Sequence, residues 1–101
     1  MQLTKTEIRK TARTLARAAG ILEKYGWITG RLGDKSSGFC VSGAVLLASK
    51  YKPITGGFVE ALHGYPYNYQ WNDNECQSKE EAQEMLMTAA SLAMSEAEVL
   101  P

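Results

Sequence analysis

Thr4-Lys5-Thr6-Glu7-Ile8-Arg9-Lys10-Thr11-Ala12-Arg13-Thr14-Leu15-Ala16-Arg17-Ala18-Ala19-Gly20-Ile21-Leu22-Glu23-Lys24-Tyr25-Gly26 decides the fold class. Thr4 and Glu7 have the spacing of a capping box, in which a hydroxyl accepts the third amide of a helix and a carboxylate reaches back to the cap amide. Leu3 and Ile8 stand at the two positions of a hydrophobic staple. Ile8, Ala12, Leu15, Ala19 and Leu22 then recur at helical spacing and form one apolar stripe. Gly26 is a natural stop after Tyr25, and Trp27 is expected to fold back on Leu22 in a Schellman arrangement. Gly20, inside the helix, is expected to admit a close backbone neighbour, since it otherwise costs about 1 kcal/mol against alanine.

A second capped helix lies at the other end. Ser78-Lys79-Glu80-Glu81 reads as another capping box, and Ala82, Met85, Leu86, Ala89, Leu92 and Ala93 supply its apolar stripe. Glu80, Glu81 and Glu84 suit the positive end of the helix dipole and read as a solvated helix start rather than as paired acid-base carboxylates. Between these helices, Phe39-Cys40-Val41-Ser42-Gly43-Ala44-Val45-Leu46-Leu47-Ala48 is apolar nearly all round; a strand is the alternative by propensity, but the length and the Gly43-Ala44 pair favour a buried central helix. Ser37 is the expected cap, with Thr29–Gly38 a loop before it. The expectation is a mainly α fold: a small helical bundle of three main helices at about 5–25, 39–51 and 79–97, with a short helix or a hairpin in 54–70.

Length and composition limit the rest. The 101 residues fit a single domain spanning 1–101. A hydrophobic share of 45% argues against disorder. No apolar run approaches the roughly 20 residues of a membrane span, so no membrane role is expected. No secretory signal follows Met1, so the expected compartment is the cytoplasm. Cys40 and Cys76 lie far apart and read as free thiols. With His63 the lone histidine, no metal site is expected, and no cofactor is implied.

The charge is balanced overall but unevenly placed. Residues 1–52 carry ten Lys or Arg against Glu7, Glu23 and Asp34, while residues 53–101 carry Lys79 against eight acids. Either the two halves attract each other in the fold, or a basic face is free to meet an anion. Duplex nucleic acid is disfavoured, because a neutral chain lacks the charge excess of a duplex binder.

Two constellations stand out as candidate contact sites. Lys10, Arg13, Arg17 and Lys24 line one side of the first helix and suit either solvent or a small anion; Arg13 and Arg17 are the strongest candidates. Tyr65, Tyr67, Tyr69 and Trp71 form an aromatic loop that could anchor a protein partner or stack on a base, with Asn72 and Asp73 as polar neighbours. Alternatively the loop folds back over the core. A Cys40, His63, Asp73 set for a small hydrolase can be written down, but the apolar neighbours Phe39 and Val41 favour a buried structural Cys40. Gly30-Arg31-Leu32-Gly33 lacks the spacing of a phosphate loop.

The order Gly26-Trp27, Cys40-x-x-Gly43-Ala44, Trp71-Asn72-Asp73 and Ala89-Ala90 resembles an uncharacterised family of small phage and actinobacterial proteins, over residues 15–93. The resemblance implies a compact helical fold and a phage or mobile-element setting. It carries no activity, so no catalytic residue is transferred. It directs attention to Trp27, Cys40, Gly43, Trp71, Asn72 and Asp73, as fold keys or as contact groups. The functional expectation is a small non-catalytic binding protein that occupies or inhibits a host component, such as part of a defence system, in the host cytoplasm. Its partner is a host protein or, in the second reading, a small nucleotide-like signalling ligand that it sequesters. The sequence leaves a homo-oligomer open.

Overall fold

The computed structural model describes residues 3–52 and 68–100. Four helices and one short hairpin make up these residues: α1 Lys5–Tyr25, β1 Gly33–Asp34, β2 Gly38–Phe39, α2 Val41–Ala48, α3 Tyr69–Asn74 and α4 Lys79–Glu98. The expected helix or hairpin in 54–70 falls mostly outside the described residues, as do Tyr65 and Tyr67.

The long helices begin where their side chains say they should. Thr4 Oγ1 accepts from the Glu7 amide at 3.1 Å, and Glu7 Oε1 accepts from the Thr4 amide at 3.2 Å. At α4, Ser78 Oγ accepts from the Glu81 amide at 3.1 Å, but Glu81 reaches back one residue further, to Gln77 at a long 3.4 Å. Only the Ser78 half of the second box therefore forms. Helices α1 and α4 pack antiparallel along most of their length. Gln83, near the start of α4, donates to the Ala19 carbonyl and to Glu23 near the end of α1, and Lys79 pairs with Glu23 at 3.4 Å. The core between them combines Ile8, Leu15 and Leu22 with Ala82, Leu86, Ala89 and Ala93, and α2 closes it with Val41, Ala44, Val45 and Ala48. The small side chains of α4 let the helices approach closely, which is how a short chain gains packing contacts.

Three local expectations are corrected. Gly26 does not end α1 in a Schellman motif. It adopts φ 99°, ψ 166°, a conformation open essentially to glycine, and sends the chain out extended. That lets the Gly26 carbonyl accept from the Phe39 amide at 2.9 Å, while the Ile28 amide donates to the Phe39 carbonyl at 3.1 Å. Because Gly38–Phe39 is held there and paired with Gly33–Asp34, the stretch 29–38 is a hairpin rather than an open loop. The central helix consequently starts later than expected and is capped by Cys40, not Ser37. Gly20 is exposed, and a Cβ there would meet nothing within 4 Å, so no backbone neighbour accounts for it. The close approach occurs instead at Gly43, where a Cβ would overlap the Leu32 carbonyl.

Among the described residues, no ion pair joins a cation of the first half to an acid of the second. Arg31–Asp34 lies within the first half, and Lys79–Glu23 joins the halves with the opposite polarity to the one expected. The basic side of α1 is left facing solvent.

Candidate functional site

Asn72 is the polar centre of the molecule. Its side chain is 0% exposed and sits on α3, a helix of six residues whose Asn68 cap accepts from the Trp71 amide at 2.9 Å. The expected aromatic loop is thus helical from Tyr69 onward. One helical turn separates the directions of its residues: Trp71 packs against the core, Asn72 points fully inward, and Tyr69 and Asp73 stay outside. Asn72 Oδ1 accepts from Trp27 Nε1 at 2.6 Å and from the Val41 amide at 2.9 Å. Its Nδ2 donates to the Ile28 carbonyl at 3.0 Å and to Asp73 Oδ1 at 2.9 Å. Both partners of the oxygen are donors and both partners of the nitrogen are acceptors, so only one amide orientation fits. All four hydrogen-bonding capacities are filled. Asn72 therefore has nothing left to offer a partner molecule: it ties the segment after α1, the first turn of α2 and α3 into one unit.

Asp73 extends this tie. Its Oδ1 also accepts from the Gly30 amide at 3.0 Å. The Asn72 amide and then the Gly30 amide hold the Asp73 carboxyl below its ordinary range, since both bonds favour the ionised form. Asp34 does the same for the hairpin turn, accepting from the hydroxyls and amides of Ser36 and Ser37 at 2.7–2.9 Å. These bonds press its carboxyl well below the usual carboxylate range.

Above this frame lies a cavity of about 200 Å³, lined among the described residues by Gly30, Arg31, Leu32, Cys40, Tyr69 and Asp73. Cys40 forms the floor, at 1% exposure. Leu32 and Tyr69 form the rim, 50% and 58% exposed. Leu32 is rigidly mounted. Its carbonyl accepts from the Cys40 amide at 3.1 Å and lies directly against Gly43, so its side chain is turned outward. Arg31 is held to Asp34 only by an exposed 3.6 Å ion pair, a weak tether that leaves its guanidinium available.

The residues singled out from sequence therefore separate into three places. Tyr69 and Asp73 meet at the cavity. Trp27, Cys40, Gly43, Trp71 and Asn72 build the frame beneath it. Cys40 Sγ accepts from the Gly43 amide at 3.3 Å as the cap of α2, and both Cys40 and Cys76 are buried free thiols. Burial raises the Cys76 thiol above its ordinary value, and the thiol donates to the Ser78 carbonyl at 3.3 Å. Arg13 and Arg17 lie elsewhere: Arg17 Nη1 donates to the Ala48 carbonyl at 3.0 Å, at the far end of α2. Arg31 and Leu32 join the rim without having been among the candidates from sequence. The signal was present, since a leucine between Gly30-Arg31 and Gly33 is poorly placed for a core. No group of three or more potential metal ligands occurs among the described residues, and no described helix is long and apolar enough to cross a membrane.

Comparison with known proteins adds the family. Residues 7–92 match the model of a family of unknown function, DUF6197, and the chain belongs to that family. No curated protein and no solved structure matches the chain.

Proposed function

We propose that this member of the family is a non-catalytic binding protein, and that its cavity receives one apolar side chain from a partner protein. The observation that carries the reading is the exposed Tyr69–Leu32 rim mounted on a saturated, buried hydrogen-bond frame. A rigid mount lowers the ordering cost of association. Tyrosine and arginine are the residue types that carry most binding energy at protein interfaces, and Arg31 beside the rim would favour an acidic neighbour in the partner segment. The volume argues for a side chain over a free ligand. About 200 Å³ falls below the roughly 300–1,000 Å³ of pockets that enclose drug-sized molecules. This disfavours the second reading, a sponge for a nucleotide-like ligand, at this cavity. A hydrolase reading gains nothing here, because the Cys40 thiol is buried and bonded to the Gly43 amide. The resemblance to small phage proteins supports a phage-encoded inhibitor acting on a host component in the host cytoplasm.

The test uses the full chain against a displayed random peptide library and, in parallel, against a panel of nucleotides by thermal shift. Peptides with an apolar residue beside an acid should be selected. Their affinity should fall about thirtyfold on Tyr69→Ala, the scale of an interface anchor worth 2 kcal/mol. Peptides indifferent to both Tyr69→Ala and Leu32→Ala would overturn the reading. So would a nucleotide that raises the melting temperature of the wild type but not of the Arg31→Ala variant.

A further inference from the structure

The far end of α2 carries a second surface, unrelated to the cavity. Helix α2 ends in a Schellman motif: the Tyr51 amide donates to the Leu46 carbonyl at 2.9 Å and the Lys50 amide to the Leu47 carbonyl at 3.0 Å. The residue at the left-handed position of such a cap is usually glycine. Here it is Lys50, with φ 56°, and Tyr51 follows with φ 63°. Two consecutive non-glycine residues in left-handed backbone are costly, and a strained pair of this kind is a reason to look for function.

The strained cap presents a particular chemistry. Tyr51 is 69% exposed, and its ring has no aromatic or cationic partner among the described residues. It stands between Lys50 and Lys52, both exposed. Arg17 reaches the same helix end through the Ala48 carbonyl, and Arg13 lies one helical turn away on the same face of α1. None of these four cations makes an ion pair in the described structure. An exposed aromatic face flanked by exposed cations is the arrangement that stacks a base while holding the adjacent phosphates.

We propose that Tyr51, Lys50, Lys52, Arg13 and Arg17 form a binding surface for single-stranded nucleic acid. Tyr51 stacks on a base, and the four cations follow the backbone. The overall neutrality of the chain disfavours a duplex, which presents a longer charged surface, but does not weaken a local patch that spans a few nucleotides. Four phosphate contacts on a single strand correspond to a log–log salt slope of about −3.

The experiment is fluorescence anisotropy of a short labelled oligothymidine with the full chain at low and at moderate salt, with labelled polyglutamate as the second probe. The oligothymidine should bind with a slope near −3. Tyr51→Ala should weaken it about fivefold or more. Lys50→Gly should lower the slope by about 0.7. Because glycine relieves the cap, that variant should also melt at a higher temperature, which separates lost binding from lost folding. Tyr69→Ala, at the cavity, should leave oligothymidine binding unchanged. Absence of binding at low salt, equal affinity for polyglutamate, or insensitivity to both Tyr51→Ala and Lys50→Gly would each overturn the proposal. None of these outcomes bears on the cavity.

Discussion

Replacing Asn72 by alanine tests the frame directly. The substitution removes four hydrogen bonds: exposed Asp73 keeps its bond from the Gly30 amide, while the Val41 amide, the Ile28 carbonyl and Trp27 Nε1 lose their Asn72 partner. Val41 is 0% exposed, so its amide cannot turn to water, whereas Trp27 is half-buried. An unsatisfied buried group costs about 1–3 kcal/mol, so Val41 contributes about 2 and the other two about 1 each. The expected loss is about 4 kcal/mol, a large share of the roughly 5–15 kcal/mol by which domains are stable. In a chain of this size that lowers the melting temperature by roughly 20 °C. Urea melts of the wild type and variant measure it, and hydrogen exchange at the Val41 amide locates it. Asn72→Asp is a sharper companion. It keeps the accepting oxygen but sets a buried carboxylate against Asp73 and the Ile28 carbonyl, so its folded-state pKa is raised. The folded variant then binds more protons than the unfolded one, and its stability should fall as pH rises through that raised value. A loss below about 1 kcal/mol for Asn72→Ala would refute the idea that this amide holds the three segments together.

Other expectations concern single positions. Gly20→Ala should stabilise the protein by about 1 kcal/mol, because the site is open and helical, while Gly43→Ala should destabilise it through overlap with the Leu32 carbonyl; paired thermal melts show whether the signs differ. Thr4→Ala should cost about 1 kcal/mol through loss of the α1 cap, read from the urea midpoint. The wild type should lose stability in acid. Asp73, Asp34 and Glu23 all have folded-state pKa values below their ordinary ones, so their contribution is present above the unfolded carboxylate range near about 4 and drains away as pH falls below it. Melts over that range should show a falling midpoint, and a flat one would contradict the hydrogen bonds that cause the shifts.

What the sequence made legible was local. Thr4, Glu7 and Ser78 interact with residues three positions away, and the stripes of α1 and α4 repeat within each helix, so spacing alone locates both elements. The centre was harder because its determinants are distant in sequence. Cys40 caps α2 only because Phe39 is paired to Gly26 and Ile28, more than ten residues upstream. Asn72 is inside and Asp73 outside because one turn of α3 faces Trp27, 45 residues away. The Trp71-Asn72-Asp73 run showed that something polar mattered there. It could not show that the three side chains point to the core, to a buried frame and to a cavity wall. Arg17 was legible as a cation but not as a donor to the Ala48 carbonyl at the end of α2.

Binding of a protein partner is expected to draw its energy from the Tyr69–Leu32 rim, apart from the basic side of α1, whose Arg13 and Arg17 belong to the separate nucleic-acid surface. The direct measurement is calorimetric titration of a cavity-selected peptide into the wild type, Tyr69→Ala and Arg13→Ala, each first shown to melt like the wild type. The account predicts about a thirtyfold loss for Tyr69→Ala and no change in affinity for Arg13→Ala beyond the salt-dependent effect of one distant charge. Loss on Arg13→Ala with Tyr69→Ala silent would contradict it.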